Sequence, residues 1–112
     1  MSGKFELYKD KAGEFRFRLK SADGQNILGS EGYKAKRSCV NGIESVKKNA
    51  TNDNRFQRKQ GETGKFSFNV KAGNNQVIGT SQSFDTAEAR DSGIDSVKST
   101  APEAPIDDIS DQ

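Results

Sequence analysis

Residues 42–47 read GIESVK and residues 93–98 read GIDSVK, 51 positions apart. Nothing else in the chain constrains its fold as strongly. Carried backwards at the same offset, the match aligns Phe5 with Phe56, Gly13 with Gly64, Phe15 with Phe66 and Phe17 with Phe68. It continues through Leu19 with Val70, Lys20 with Lys71, Tyr33 with Phe84 and Ala50 with Ala101. Between the start of the third strand and Tyr33 the register is expected to slip by one residue, with ILGSEG facing VIGTSQS. The chain thus reads as one domain over 1–112, built of repeat one at 4–54 and repeat two at 55–110 with an acidic C-terminal strand and tail.

Each repeat parses into the same elements. FRFRLK alternates strictly, with Phe15, Phe17 and Leu19 on one side and Arg16, Arg18 and Lys20 on the other. Period two with one apolar side predicts a half-buried strand. KFELYKD before it and QNILGS after it read as two more strands, joined by KAGE and the Asp-Gly turn of SADG. The second repeat copies this as RFQRK, KFSFNVK and QVIGTS. The period then changes. Ala35, Cys39, Ile43 and Val46 are spaced as one face of a helix, with Ala87, Arg90, Ile94 and Val97 as counterparts. Asp85 followed by Glu88 reads as a capping box for the second helix, a signal the first helix lacks. Gly42 and Gly93 sit inside these helices, where glycine costs about 1 kcal/mol relative to alanine. Their recurrence suggests a close approach of helix to sheet that leaves no room for a Cβ; plain inheritance through the duplication is the alternative.

Leu, Ile, Val and Phe make up less than a fifth of the chain, close to the level of ~20% below which disorder competes. A net charge of only +2 argues against disorder. Each repeat holds roughly ten large apolar residues worth ~1.5–3 kcal/mol apiece, too little against its own backbone entropy. The two repeats are therefore expected to share a core, with both helices on one face and a polar sheet face in solvent.

The strings FRFRLK, ILGSEGY and NGIESVKKNA, with VIGTSQSF and RDSGIDSVK in the second half, resemble the YegP-like family of small bacterial proteins. The resemblance spans nearly the whole chain. It implies an α+β fold of two tandem, pseudo-symmetric β-β-β-α-β units that form one antiparallel sheet and exchange their C-terminal strands. The exchanged strands would fall at residues 54–60 and 104–109. The tail carries both prolines, which confine its strand to an edge, and fraying is expected beyond Ser110. The resemblance brings no activity, substrate or catalytic residue.

The side-chain chemistry points away from catalysis. The chain has no His and a single cysteine, Cys39, whose helical spacing with Ile43 makes it a core thiol rather than a nucleophile. No disulfide within the chain can form, a Cys/His zinc site is excluded, and neither P-loop nor GxGxxG occurs. The acids of the tail, such as Asp107 and Asp108, read as solvated rather than metal-binding. No enzyme activity, cofactor or metal is expected. The N-terminal stretch is charged within four residues and shows neither a leader nor a membrane anchor, so the chain reads as a cytoplasmic monomer.

Charge supplies the remaining candidates. All 18 Lys and Arg precede residue 99, while four of the 16 acids lie in the tail, which leaves residues 1–101 with a net charge of +6. Arg16, Arg18 and Lys20 line one strand face, and Arg55 and Arg58 lie on the strand between the repeats. These five are the candidate phosphate or partner contacts. A row of cations can hold nucleic acid, but no aromatic stacking platform accompanies it, and cations also keep an exposed sheet soluble. The preferred reading is a non-enzymatic binding or interaction module with a protein partner; weak nucleic-acid binding through the basic sheet face is the alternative.

Overall fold

In the computed structural model, which describes residues 3–110, the alternating segments are strands and the segments of helical period are helices. The first repeat holds β1 (Lys4–Lys9), β2 (Phe15–Lys20), β3 (Asn26–Gly29) and α1 (Lys36–Asn49). The second holds β4 (Phe56–Gln60), β5 (Phe66–Lys71), β6 (Val77–Thr80) and α2 (Ala87–Thr100), and is followed by β7 (Ile106–Asp108). Short 3-10 turns, Asp53–Arg55 and Ala101–Glu103, lead from each helix toward the next strand.

The seven strands form one sheet in the order β4-β5-β6-β3-β2-β1-β7. The repeats meet at its centre, where β3 and β6 pair antiparallel through Gly29 and Thr80. These two residues stand 51 apart, so each pairs with its own repeat equivalent, and a pseudo-twofold axis passes between them. Of the two strands expected to exchange, β7 crosses to the first repeat and pairs with β1, whereas β4, the equivalent of β1 at the offset of 51, pairs with β5 within the second repeat.

Two further expectations are corrected. The alignment does not slip: β2 and β5, β3 and β6, and α1 and α2 all keep the offset of 51. Ser30 and Ser81 mark the same place, each Oγ accepting the amide of Phe17 or Phe68 at 2.9 Å. The slip matched Gly29 to Gly79. Gly79 is instead the equivalent of Leu28, and it is small for a different reason. A Cβ on Gly79 would stand 2.7 Å from Cδ2 of Leu28, whose side chain fills that space across the axis. The sheet is also mixed rather than wholly antiparallel, because β7 runs parallel to β1. A hairpin can give only an antiparallel pair, whereas β7 arrives by a helical crossover, the connection that parallel pairing requires.

Both helices cover the same face. Phe5, Phe17 and Leu19 from the first repeat and Phe68, Val70 and Ile94 from the second are fully buried in one cluster. The helical glycines sit where aromatic rings press against the helix backbone. A Cβ on Gly42 would lie 2.6 Å from Oη of Tyr33 and 3.2 Å from Cε2 of Phe17. On Gly93 it would lie 2.8 Å from Cζ of Phe84 and 3.2 Å from Cε2 of Phe68. The steric reason for the repeated glycine is therefore ring packing on the sheet.

The cap of α2 is Thr86, one residue later than expected, with its Oγ1 accepting the Ala89 amide at 3.0 Å. Asp85 is taken up by an ion pair with Lys65 instead. α1 starts after Ala35 without a side-chain cap. Ser110 donates its amide and hydroxyl to Oδ1 of Asp108 at 3.0 and 2.6 Å. The expected fraying falls on residues 111–112, outside the described residues.

Candidate interaction surface

Alternation along β1 and β2 buries Phe5, Leu7, Phe17 and Leu19 under the helices and turns Lys4, Glu6, Tyr8, Arg16, Arg18 and Lys20 to the other face. The antiparallel register sets Glu6 opposite Arg18. Glu6 is only 8% exposed and accepts from Nε of Arg18 at 2.7 Å. Nζ of Lys20 and Lys4 approach it at 3.4 and 3.5 Å. The Arg18 hydrogen bond, and the charges of Arg18 and Lys20, hold its carboxyl below the ordinary range against the opposing effect of burial. The Arg18 guanidinium also stacks on Tyr8, 4.4 Å from the ring centre. Arg16 donates from Nε to Asp10 at 2.6 Å and from Nη1 to the Ser30 carbonyl at 3.2 Å. That bond to Arg16 is the main cause of the lowered pKa of Asp10.

Arg16, Arg18 and Lys20 thus form one row, as the alternation predicts, but Asp10 and Glu6 are woven into it. A second acid-bearing strand is what the charge count alone could not place. The hairpin register brings it there, and the signal was the period-two position of Glu6 opposite Arg18. At the equivalent places of the second repeat the ions are replaced by neutral groups. Asn69 donates to Oε1 of Gln57 at 3.1 Å, and Thr80 donates to Oδ1 of Asn69 at 3.1 Å.

The other two candidates do not join the row. Arg58 lies in register with Phe56 and faces the helices, where its Nε meets Asp91 at 3.3 Å and its guanidinium meets Asp53 at 3.6 Å. Lys98 holds Asp53 from α2 at 2.6 Å. Arg55, at the entry to β4, has a buried Nε with no hydrogen-bond partner among the described residues.

The two ends of the sheet differ. At one end β7 covers β1: the Phe5 amide donates to the Pro105 carbonyl at 2.9 Å, and the Ile109 amide donates to the Leu7 carbonyl at 2.8 Å. Charge reinforces the pair, with Lys4 on Asp107 at 3.0 Å and Lys36 on Asp108 at 2.9 Å. The Ser110 hydroxyl and amide, with Lys36, bring the Asp108 carboxyl down to about 2. At the other end, among the described residues, β4 pairs with β5 alone.

Cys39 is fully buried, and burial raises its thiol pKa to about 11, far from a reactive thiolate. Among the described residues no group of three or more His, Cys, Asp or Glu could hold a metal ion, and no helix is long and apolar enough to cross a membrane.

Known proteins share both the repeat and the fold. The family profile described as "Domain of unknown function (DUF1508)" matches twice, over residues 10–57 and 62–108. A Stutzerimonas stutzeri protein described as "UPF0339 protein in ptx operon 5'region" is 61% identical over 97% of this chain and 98% of its own. UPF0339 protein YegP of Escherichia coli (strain K12) is 44% identical over 96% of this chain and 98% of its own. The solution structure of E. coli yegP, described as a protein of unknown function, superposes with a TM-score of 0.95 at 43% identity, covering 100% of this chain and 97% of that one. That of a UPF0339 protein from Shewanella oneidensis gives 0.94 at 41% identity, covering 100% and 95%. With two matches in tandem and relatives of this closeness over nearly its full length, the chain belongs to the DUF1508 family, in the two-repeat form shared with YegP.

Proposed function

We propose that the chain is a non-enzymatic interaction module that engages a protein partner through the second-repeat end of its sheet. The observation that carries this reading is the inequality of the two sheet ends: β1 is covered by β7, while among the described residues β4 has a neighbour on one side only. An uncovered strand edge is a ready template for another segment. The single core shared by both repeats supports a monomeric module, and a lone buried cysteine supports a cytoplasmic one. The test is position-dependent photocrosslinking in cells. A crosslinker at Lys59 on β4 should trap a protein partner, and one at Glu44 on the exposed side of α1 should not. Equal trapping at both, or trapping only on the β1–β2 face, overturns the reading.

Weak nucleic-acid binding has one observation in its favour, the row of Arg16, Arg18 and Lys20 on a solvent face. Glu6 and Asp10 within that row weigh against it. Phosphate-driven binding falls steeply with salt and should drop when Arg16→Ser and Arg18→Asn copy the second repeat. No binding of mixed RNA and DNA at low salt removes this alternative.

A further inference from the structure

We infer that the outer edge of β4 is a docking site for an extended acidic segment of a partner protein, bound parallel to β4 in the way β7 is bound to β1. This rests on the interaction-module reading above and names the chemistry of its partner.

The pairing of β4 with β5 copies that of β1 with β2 residue for residue: Phe56 faces Val70 as Phe5 faces Leu19, and Arg58 faces Phe68 as Leu7 faces Phe17. In an antiparallel pair the backbone groups of alternate residues turn outward. Phe5 and Leu7 use theirs to hold β7. The equivalent outward positions on β4 are 56 and 58. The Phe56 amide is spent on the Asp53 carbonyl. The Phe56 carbonyl and both Arg58 groups face away from the sheet.

Charge selects the occupant. Lys4 of β1 is bonded to Asp107 of β7 and also lies beside Glu6. Its repeat equivalent is Arg55, and Gln57 stands where Glu6 would be. Arg55 therefore has neither acid, and it carries the unpartnered buried Nε. A carboxylate in the place of Asp107 would stand on the same sheet face as this guanidinium. Lys59, on the same outer strand, is exposed and makes no ion pair among the described residues. The chain's own β7 shows what fits such an edge: an apolar residue, Ile106, followed by two acids.

The experiment uses the full chain and a labelled synthetic peptide, EAPIDDIS, copied from residues 103–110. Binding should be measurable at millimolar peptide, and hydrogen exchange should slow at the Arg58 amide rather than in β1. Arg55→Gln with Lys59→Gln should weaken it by about threefold to tenfold, while Lys4→Gln leaves it unchanged. N-methylation of the peptide at its second Ile, the position that donates to Leu7 in the intact chain, should abolish binding, and at its second Asp should not. Absence of binding, or protection confined to β1, overturns the inference. Equal binding of the Asn-substituted peptide EAPINNIS overturns the acidic preference while leaving β4 as the interaction edge. Trapping of partners at Lys59 without peptide binding separates the two readings in the same way.

Discussion

Leu28 fills the space in which a side chain on Gly79 would stand, and the two residues occupy the same position of the two repeats. The pseudo-twofold is thus broken at its own axis, one large residue serving both sides. Gly79→Ala should destabilise the fold by about 1–3 kcal/mol, because Leu28 must move. Leu28→Ala should cost about 2–5 kcal/mol, since Leu28 is 2% exposed. The double variant should cost less than the two together, as expected for side chains in contact. Urea unfolding of the four proteins checks this, and strict additivity refutes the shared space.

Gly42 separates ring packing from helix propensity. Ser38 is exposed on the same helix, four residues away. Ser38→Leu should change stability by no more than about 0.5 kcal/mol, while Gly42→Leu should lose about 2 kcal/mol or more against Tyr33 and Phe17. Equal thermal melts for the pair contradict the packing described.

Glu6 and Arg18 give a pH signature. The folded-state pKa of Glu6 is lowered, so the stability it contributes is present above the ordinary carboxyl pKa and is lost as pH falls through the folded value. Glu6→Gln with Arg18→Asn installs the neutral pair of Gln57 and Asn69. At pH 7 the variant should stay within about 1 kcal/mol of the parent, because exchanging a whole ion pair for a matched neutral pair is often close to neutral. Below pH 4 it should lose stability more slowly than the parent. Denaturation midpoints from pH 7 to pH 2 read out the difference, and parallel curves would exclude an ionic role for Glu6.

Cys39 should behave as a packing residue. With its thiol raised to about 11 and fully buried, it should resist a disulfide-exchange reagent at pH 8 in the native state and react at once in denaturant. Rapid labelling of the folded protein would show that α1 opens readily.

The shared core predicts that a fragment ending at Asp53 does not form a cooperatively melting monomer, since Phe17 and Leu19 then lose the second-repeat residues of their cluster. A sharp monomeric melt of that fragment contradicts the single cluster.

The strands and helices were legible because Phe15, Phe17 and Leu19, and then Cys39, Ile43 and Val46, carry a clear period. Short polar side chains carry none. Ser30 and Ser81 complete the sheet, and Thr86 caps α2, through single hydrogen bonds that any serine or threonine in a loop could make. The row of Arg16, Arg18 and Lys20 was readable from alternation, yet its neutralisation depends on which residue of β1 stands opposite. Arg58 joins the five candidates by charge alone, although its spacing from Phe56 assigns it to the helix face. The direction of β7 lies in no local pattern at all, because a crossover can deliver a strand either way.

The clasp of β7 on β1 joins the earliest-made strand to the last, with Lys4 and Asp107 103 positions apart. A chain still attached to the ribosome must therefore wait with its opening strand half-dressed, and long-range pairing of this kind slows folding. Because that pairing is parallel, the chain enters β1 at one end of this edge and leaves β7 toward the other, so a permuted protein cut at the exposed turn around Gly64 needs a linker long enough to run back along the edge strand.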